Sequence, residues 1–213
     1  MSEIASVAAL ILAAGSSSRM SHGHHKLLLP LGERPVLAHV VEAALQSQAT
    51  PVIVVLGHQS SQVAAALSSY MNHNKLNVQK NPDYRAGMST SLRTGIQALA
   101  QYPGCAAALV MLGDQPFVST QLIDRLLSAW QQSGKRIIAP CYHGKRGNPV
   151  LFDASLFSEL VAVSGDEGGR SVITRHADEV EQIELSDALA QHDVDTWEAY
   201  QAALTIWQSQ QTT

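Results

Sequence analysis

Short apolar runs alternate with helical stripes along the chain. Val7 to Ala14 is an unbroken apolar run, and Val52 to Leu56 and Ala106 to Leu112 are further ones. Such continuous runs predict parallel strands covered on both faces. Between them the period lengthens. Val36 to Gln48 places Val36, Leu37, Val40, Val41, Ala44 and Leu45 on one stripe, which predicts a helix with Pro35 in its first turn. Gln62 to Tyr70 predicts a second helix with Val63, Ala66 and Leu67 inward. Ser89 is a suitable N-cap for a third, through Leu92, Ile96 and Leu99. Ser119 or Thr120 would cap a fourth. Leu76 to Val78 and Arg136 to Pro140 read as shorter strands.

The rhythm changes after Tyr142. A turn-rich stretch, His143 to Pro149, precedes Val150-Leu151-Phe152, and Asp153 can cap a helix through Leu156 and Leu160. Ser164 to Arg170 is a polar loop, followed by a helical turn. Val180 to Leu185 alternates apolar with polar, the pattern of an edge strand. Asp195 or Thr196 would cap a last helix, Trp197 to Trp207. The whole predicts an α/β fold, a mostly parallel central sheet with helices on both faces, in a single domain over residues 1–213.

Composition adds limits. An apolar share of 46% is enough for a full core. A net charge of -4 supplies no basic field, so no nucleic-acid partner is expected. Cys105 and Cys141 sit in apolar runs without disulfide or zinc spacing and read as reduced core thiols. Met1-Ser2-Glu3 lacks a basic leader and the apolar run after it is short, so no membrane partner and a cytoplasmic location are expected.

The candidate chemistry gathers where strands end. The first strand stops at Gly15 and three serines, followed by Arg19 and Lys26. Backbone N–H groups and two fixed cations there suit a polyphosphate. Gly113-Asp114-Gln115-Pro116 closes another strand, and Asp114 either holds a divalent cation or caps the next turn. Of Asp193 and Asp195, one is expected to face a given site. The assignment taken here gives capping to Asp195 or Thr196 and a metal to Asp193. Arg146 and Arg170 lie in glycine-flanked loops, as anion grips or solvated arginines. His22, His24 and His25 form a loop that either binds a transition metal or is solvated. A Walker loop, a dinucleotide fingerprint and a serine nucleophile elbow are all missing.

In order along the chain stand Ala13-Ala14-Gly15-Ser16-x-Ser18-Arg19-Met20 with Lys26, Gly87-Met88-x-x-Ser91-Leu92, Gly113-Asp114-Gln115-Pro116, Arg146-Gly147-Asn148-Pro149, Gly165-Asp166-x-Gly168-x-Arg170 and Asp193-Val194-Asp195-Thr196. Together they resemble the molybdenum cofactor cytidylyltransferases, within the nucleotidyltransferases of glycosyltransferase-A-like fold. That resemblance implies a Rossmann-like three-layer sandwich of the nucleotide-diphospho-sugar transferase type. It implies a nucleotide half at about 1–115 and an acceptor half at about 116–207. The reaction would join CTP and molybdenum-bearing molybdopterin into the cytosine dinucleotide cofactor, with release of pyrophosphate, and a molybdoenzyme would receive the product. Ala13, Ala14, Gly15, Ser16, Ser18, Gly87 and Ser91 would bind nucleotide. Arg19, Lys26 and Asp114 would be catalytic, with Asp114 and Asp193 on Mg2+. Arg146, Asn148, Asp166 and Arg170 would face the pterin. Ala14 stands where guanylyl-transferring relatives carry a second glycine, which favours CTP over GTP. Family members place the lysine five positions after the arginine; here it is seven, so the loop must bulge. Another phosphorylated acceptor, such as a sugar or polyol phosphate, or a non-catalytic cofactor carrier, are the competing readings.

Overall fold

A computed structural model describes residues 6–20 and 24–211 of the chain. Its strands are β1 Ser6–Ala13, β2 Pro30–Leu31, β3 Arg34–Pro35, β4 Val52–Leu56, β5 Leu76–Lys80, β6 Cys105–Leu112, β7 Ile137–Tyr142, β8 Lys145–Arg146, β9 Val150–Asp153 and β10 Val180–Leu185. Its helices are α1 Val36–Gln46, α2 Ser60–Ala66, α3 Met88–Ala98, α4 Thr120–Ser133, α5 Phe157–Ala162, α6 Arg170–Arg175 and α7 Trp197–Gln211. The main sheet runs β10-β7-β9-β6-β1-β4-β5, with β8 paired to β7. β1 pairs in parallel with β4 and β6, β4 with β5, and β7 with β10. β9 is antiparallel to both its neighbours, β6 and β7. The sheet is therefore mixed and mostly parallel, as the sequence predicts, and β10 is an edge strand.

The unbroken apolar runs have a direct cause in the layering. Along β1, Val7, Ala9, Ile11 and Ala13 join one buried cluster with α1 and α4. Ala8, Leu10 and Leu12 join the other, with α3, α5 and α6. Period-two alternation thus sends each residue to a different helix layer, and both positions must be apolar. Burying a leucine such as Leu10, which is 0% exposed, contributes about 1.5–3 kcal/mol.

A third cluster seats α7. Met20, Leu31, Val36, Val194 and Tyr200 pack together, and Tyr200 donates to the Pro30 carbonyl at 2.6 Å. This fixes the strap 193–196 against the end of the opening loop. His39 lies nearby in α1, donates Nε2–H to the Leu31 carbonyl at 2.8 Å, and meets the Trp207 ring edge-on at 4.6 Å.

Burial holds the imidazole of His39, and likewise that of His25, below its ordinary pKa. Both are neutral in the fold and gain a proton more readily unfolded. Their stability contribution is complete above the unfolded value of about 6.5 and is lost as pH falls through the lower folded values. The melting temperature should drop between roughly pH 7.5 and roughly pH 5.5, and His39→Gln should shrink that drop. An unchanged drop in the variant would remove His39 from the account.

Two local expectations need correction. Pro35 is not in the first helical turn: Arg34–Pro35 pairs with Pro30–Leu31, and α1 starts at Val36. Ser89 does not cap α3. Gly87 holds the cap position, and Ser89 is inside the helix and 2% exposed. Of the two candidate caps for α7, Thr196 serves: its Oγ1 accepts from Ala199 N–H at 3.2 Å. Ser119 caps α4 as expected, accepting from Leu122 N–H at 3.2 Å. Asp153 accepts from Ser155 N–H at 2.9 Å, ahead of α5.

Candidate active site

The carboxyl ends of β1 and β6 open on a cleft of about 670 Å3. Every residue from Ala13 to Arg19 lines it, together with Lys26, Gly87, Ser91, Asp114, Asp166, Arg170, Asp193 and Asp195. The turn after β1 is made by Ser17 at φ 54, whose Oγ accepts from Lys26 N–H at 3.1 Å. That bond closes the loop, so the two extra residues between Arg19 and Lys26 do not keep the lysine out. Ser21, His22 and Gly23 lie outside the described residues.

Lys26 Nζ donates to both Asp114 Oδ2 and Asp195 Oδ1. Arg19 Nη2 reaches the other Asp195 oxygen at 2.8 Å. Burial alone would disfavour the Lys26 ammonium, but the two carboxylates outweigh it and raise its pKa above the ordinary lysine value. Burial likewise opposes the Asp195 charge, and Lys26 and Arg19 overcome it and lower its pKa. Asp193 behaves differently. Burial and the neighbouring Asp114 and Asp195 raise its pKa, although Gln115 Nε2 donates to Asp193 Oδ1 at 2.6 Å. The main chain adds a clamp, Val194 N–H to the Asp114 carbonyl at 2.9 Å.

Asp193 and Asp195 both line the cleft, against the expectation that only one would face it. Asp195 is the one across Lys26 from Asp114. Residues two apart share a face of an extended segment, so strand alternation itself puts both carboxylates on one side. Here the strap runs between Asp114 and α7 without joining the sheet.

The opposite wall is built from distant segments. Gly87 has φ 109, and its neighbours Met88 and Ser89 donate their N–H groups to Asp166 Oδ1 and the Gly165 carbonyl, both at 3.0 Å. The first N–H groups of α3 are thus satisfied by the 165–166 loop, not by a local serine. Asp166, read from sequence as an acceptor contact, has this bond as its partner. Ser91 is 4% exposed and its Oγ accepts from Asn81 Nδ2 at 3.0 Å.

A smaller cavity of about 100 Å3 adjoins the cleft, sharing Leu12, Met88, Asp166 and Arg170, and adding Asn148 and Phe152. Arg146 is exposed in the β7–β8 hairpin and lines neither cavity. Several lining residues had no part in the site as read from sequence: Ser17, Tyr84 and Arg85, with Asp195 given to capping instead. Only Asp195 had a visible signal, standing beside Asp193. His25 corrects another expectation. It is 6% exposed and stacks on His58 at 5.6 Å, so it is a core residue and not a solvated one. His24 meets the Trp197 ring at 5.7 Å.

Residues 9–180 match the family described as the MobA-like NTP transferase domain. The chain belongs to this family. Among solved structures, Rv0371c of Mycobacterium tuberculosis is 28% identical, with TM-score 0.77, covering 95% of this chain and 99% of that one. A second structure of Rv0371c is a complex with manganese. A nucleotidyl transferase from Methanothermobacter, 23% identical with TM-score 0.81 over 96% of this chain and 99% of that chain, shares the fold. The bifunctional protein GlmU of Halorhodospira halophila is 39% identical over 127 residues, 58% of this chain and 24% of that protein. The chain thus spans about a quarter of the length of such curated relatives. Family membership and fold place the protein among the nucleotidyltransferases. Among the described residues no helix is long and apolar enough to cross a membrane.

The donor set of the cleft can be tested for a divalent cation. Among the described residues no three His, Cys, Asp or Glu side chains cluster tightly enough to enclose a metal alone. What is present is a pair of carboxylates, Asp114 and Asp195, with Asp193 beside them and open space for phosphate oxygens. Hard oxygen donors, one or two from protein and the rest from substrate and water, fit magnesium.

Proposed function

We propose that the protein transfers CMP from CTP to molybdenum-bearing molybdopterin, forming molybdopterin cytosine dinucleotide and releasing pyrophosphate. The observation that carries this reading is the continuity of the two cavities. The Ala13–Arg19 loop, Lys26 and Asp114 line the larger, and Asn148, Asp166 and Arg170 reach the smaller. One nucleotide and one anionic acceptor can therefore meet edge to edge.

In this reading a terminal phosphate oxygen of the pterin attacks the α-phosphorus of CTP. A new P–O bond forms, the bond to the bridging oxygen breaks, and pyrophosphate leaves with that electron pair. The loop amides and Ser16 and Ser18 hold the triphosphate. Arg19 and Lys26 neutralise it, and Arg170 orients the acceptor, with Arg146 at the exposed rim. Gly87 and Ser91 flank the nucleotide. Mg2+ on Asp114 with Asp195 or Asp193 would withdraw charge from the phosphates when bound. Positioning and charge neutralisation can supply most of the barrier reduction in such a transfer. Residues 1–115 would form the nucleotide half and 116–207 the acceptor half of one domain.

Turnover with purified molybdenum cofactor and CTP, GTP or ATP in parallel is the test. CTP should be used best. Preference for GTP would overturn the reading of Ala14 and make the protein a guanylyltransferase. A second reading, transfer to a sugar or polyol phosphate, fits the same nucleotide cleft. Product formation with sugar or polyol phosphates but not with the pterin would select it.

A further inference from the structure

The carboxylates best placed for a divalent cation already hold a cation of the chain itself. The Lys26 ammonium lies between Asp114 and Asp195, and their side chains are only 13%, 14% and 23% exposed. Arg19 also meets Asp195, but it is 70% exposed and its hold is weakened by solvent. The Lys26 backbone is pinned by the bond from its N–H to Ser17 Oγ and by the buried Leu27 that follows. Only the flexible side chain can move.

We propose that Lys26 is the built-in counter-ion of this site, and that it releases Asp114 and Asp195 to a divalent cation only when phosphate oxygens offer the ammonium a new partner. The proposal rests on the reading that the cleft takes a nucleotide with its metal. An ammonium between two carboxylates competes with a metal for the same oxygens. Displaced without a phosphate, it would be left beside Arg19 and the metal, with only Asp193, already bonded to Gln115, to receive it. Metal and nucleotide therefore strengthen each other's binding, and the coupling is reciprocal. The lysine keeps the carboxylates apart and satisfied between turnovers, so the empty site resists stray cations.

The test is Mn2+ binding followed by electron paramagnetic resonance on the full chain, first without nucleotide. Lys26→Met should bind Mn2+ on the order of tenfold to a hundredfold more tightly than wild type, because a unit charge has been removed beside the metal. Lys26→Arg, which keeps the charge, should stay weak. Lys26→Gln is the second neutral variant, read in the same way should the methionine variant fail to fold. Neutral variants that bind Mn2+ no more tightly than wild type overturn the proposal. A non-hydrolysable CTP analogue should then tighten Mn2+ binding more in wild type than in Lys26→Met; equal tightening in both also overturns it. The nucleotide-free comparison stands without CTP. Tightening of wild type by a GTP analogue alone would overturn the choice of CTP and support the role of Lys26.

Discussion

Asp114→Ala should lower the rate of pyrophosphate release by roughly a hundredfold or more, the usual consequence of losing electrostatic stabilisation of the reacting phosphates, here through the cation that Asp114 would hold. That corresponds to about 2.7 kcal/mol of barrier. The direction follows from position. Asp114 lies in the turn after β6, beside the loop of β1, and its carboxylate faces the cleft across Lys26. The variant should remain folded, because Lys26 keeps Asp195 as a partner and the Asp114 carbonyl still accepts from Val194 N–H. Release of pyrophosphate from CTP by the folded variant at a near-normal rate would remove Asp114 from the chemistry.

Gly87→Ala should produce a large loss of stability for one added methyl. Gly87 sits at φ 109 and ψ 168, a backbone region that is essentially restricted to glycine. A Cβ there would stand 2.5 Å from the Gly165 carbonyl oxygen. Strain of this kind costs about 1–3 kcal/mol before any overlap is relieved. For a chain of this size that is a fall in melting temperature of roughly 2–12 °C. Relief would push the 165–166 loop away and strip the Met88 and Ser89 N–H groups of their acceptors. Gly104→Ala is the control, since a Cβ there meets nothing within 4 Å. Equal melting temperatures for the two variants would show that the loop contact is dispensable.

These residues also show how far sequence could reach. The apolar runs identify β1, β4 and β6 because a strand between two helix layers must be apolar at every position. The motif positions Ala13 to Arg19, Lys26, Gly87, Ser91, Asp114, Asp166, Arg170 and Asp193 all line one cleft, since the strand ends of an open α/β sheet share one edge. Asp195 was misjudged because local capping rules cannot see a lysine at the other end of the chain. Ser89 was misjudged for the same reason: the acceptors at the start of α3 come from residues 165 and 166. Local preference yields to a tertiary partner in both. Tyr84 and Arg85 had no pattern to mark them. They enter the lining because a short helical turn, Tyr84–Ala86, precedes Gly87.

The antiparallel strand β9 bears on how the protein is made. β6 and β7 are synthesised before it, yet it lies between them. Until residues 150–153 have left the ribosome, the middle of the sheet has a vacant slot with an unpaired edge on each side. Open edges accept strands from other chains as readily as their own. A nascent chain that stalls in the turn-rich stretch before β9 is therefore the species most exposed to aggregation, and the last few residues of that slot close the sheet as a wedge closes an arch.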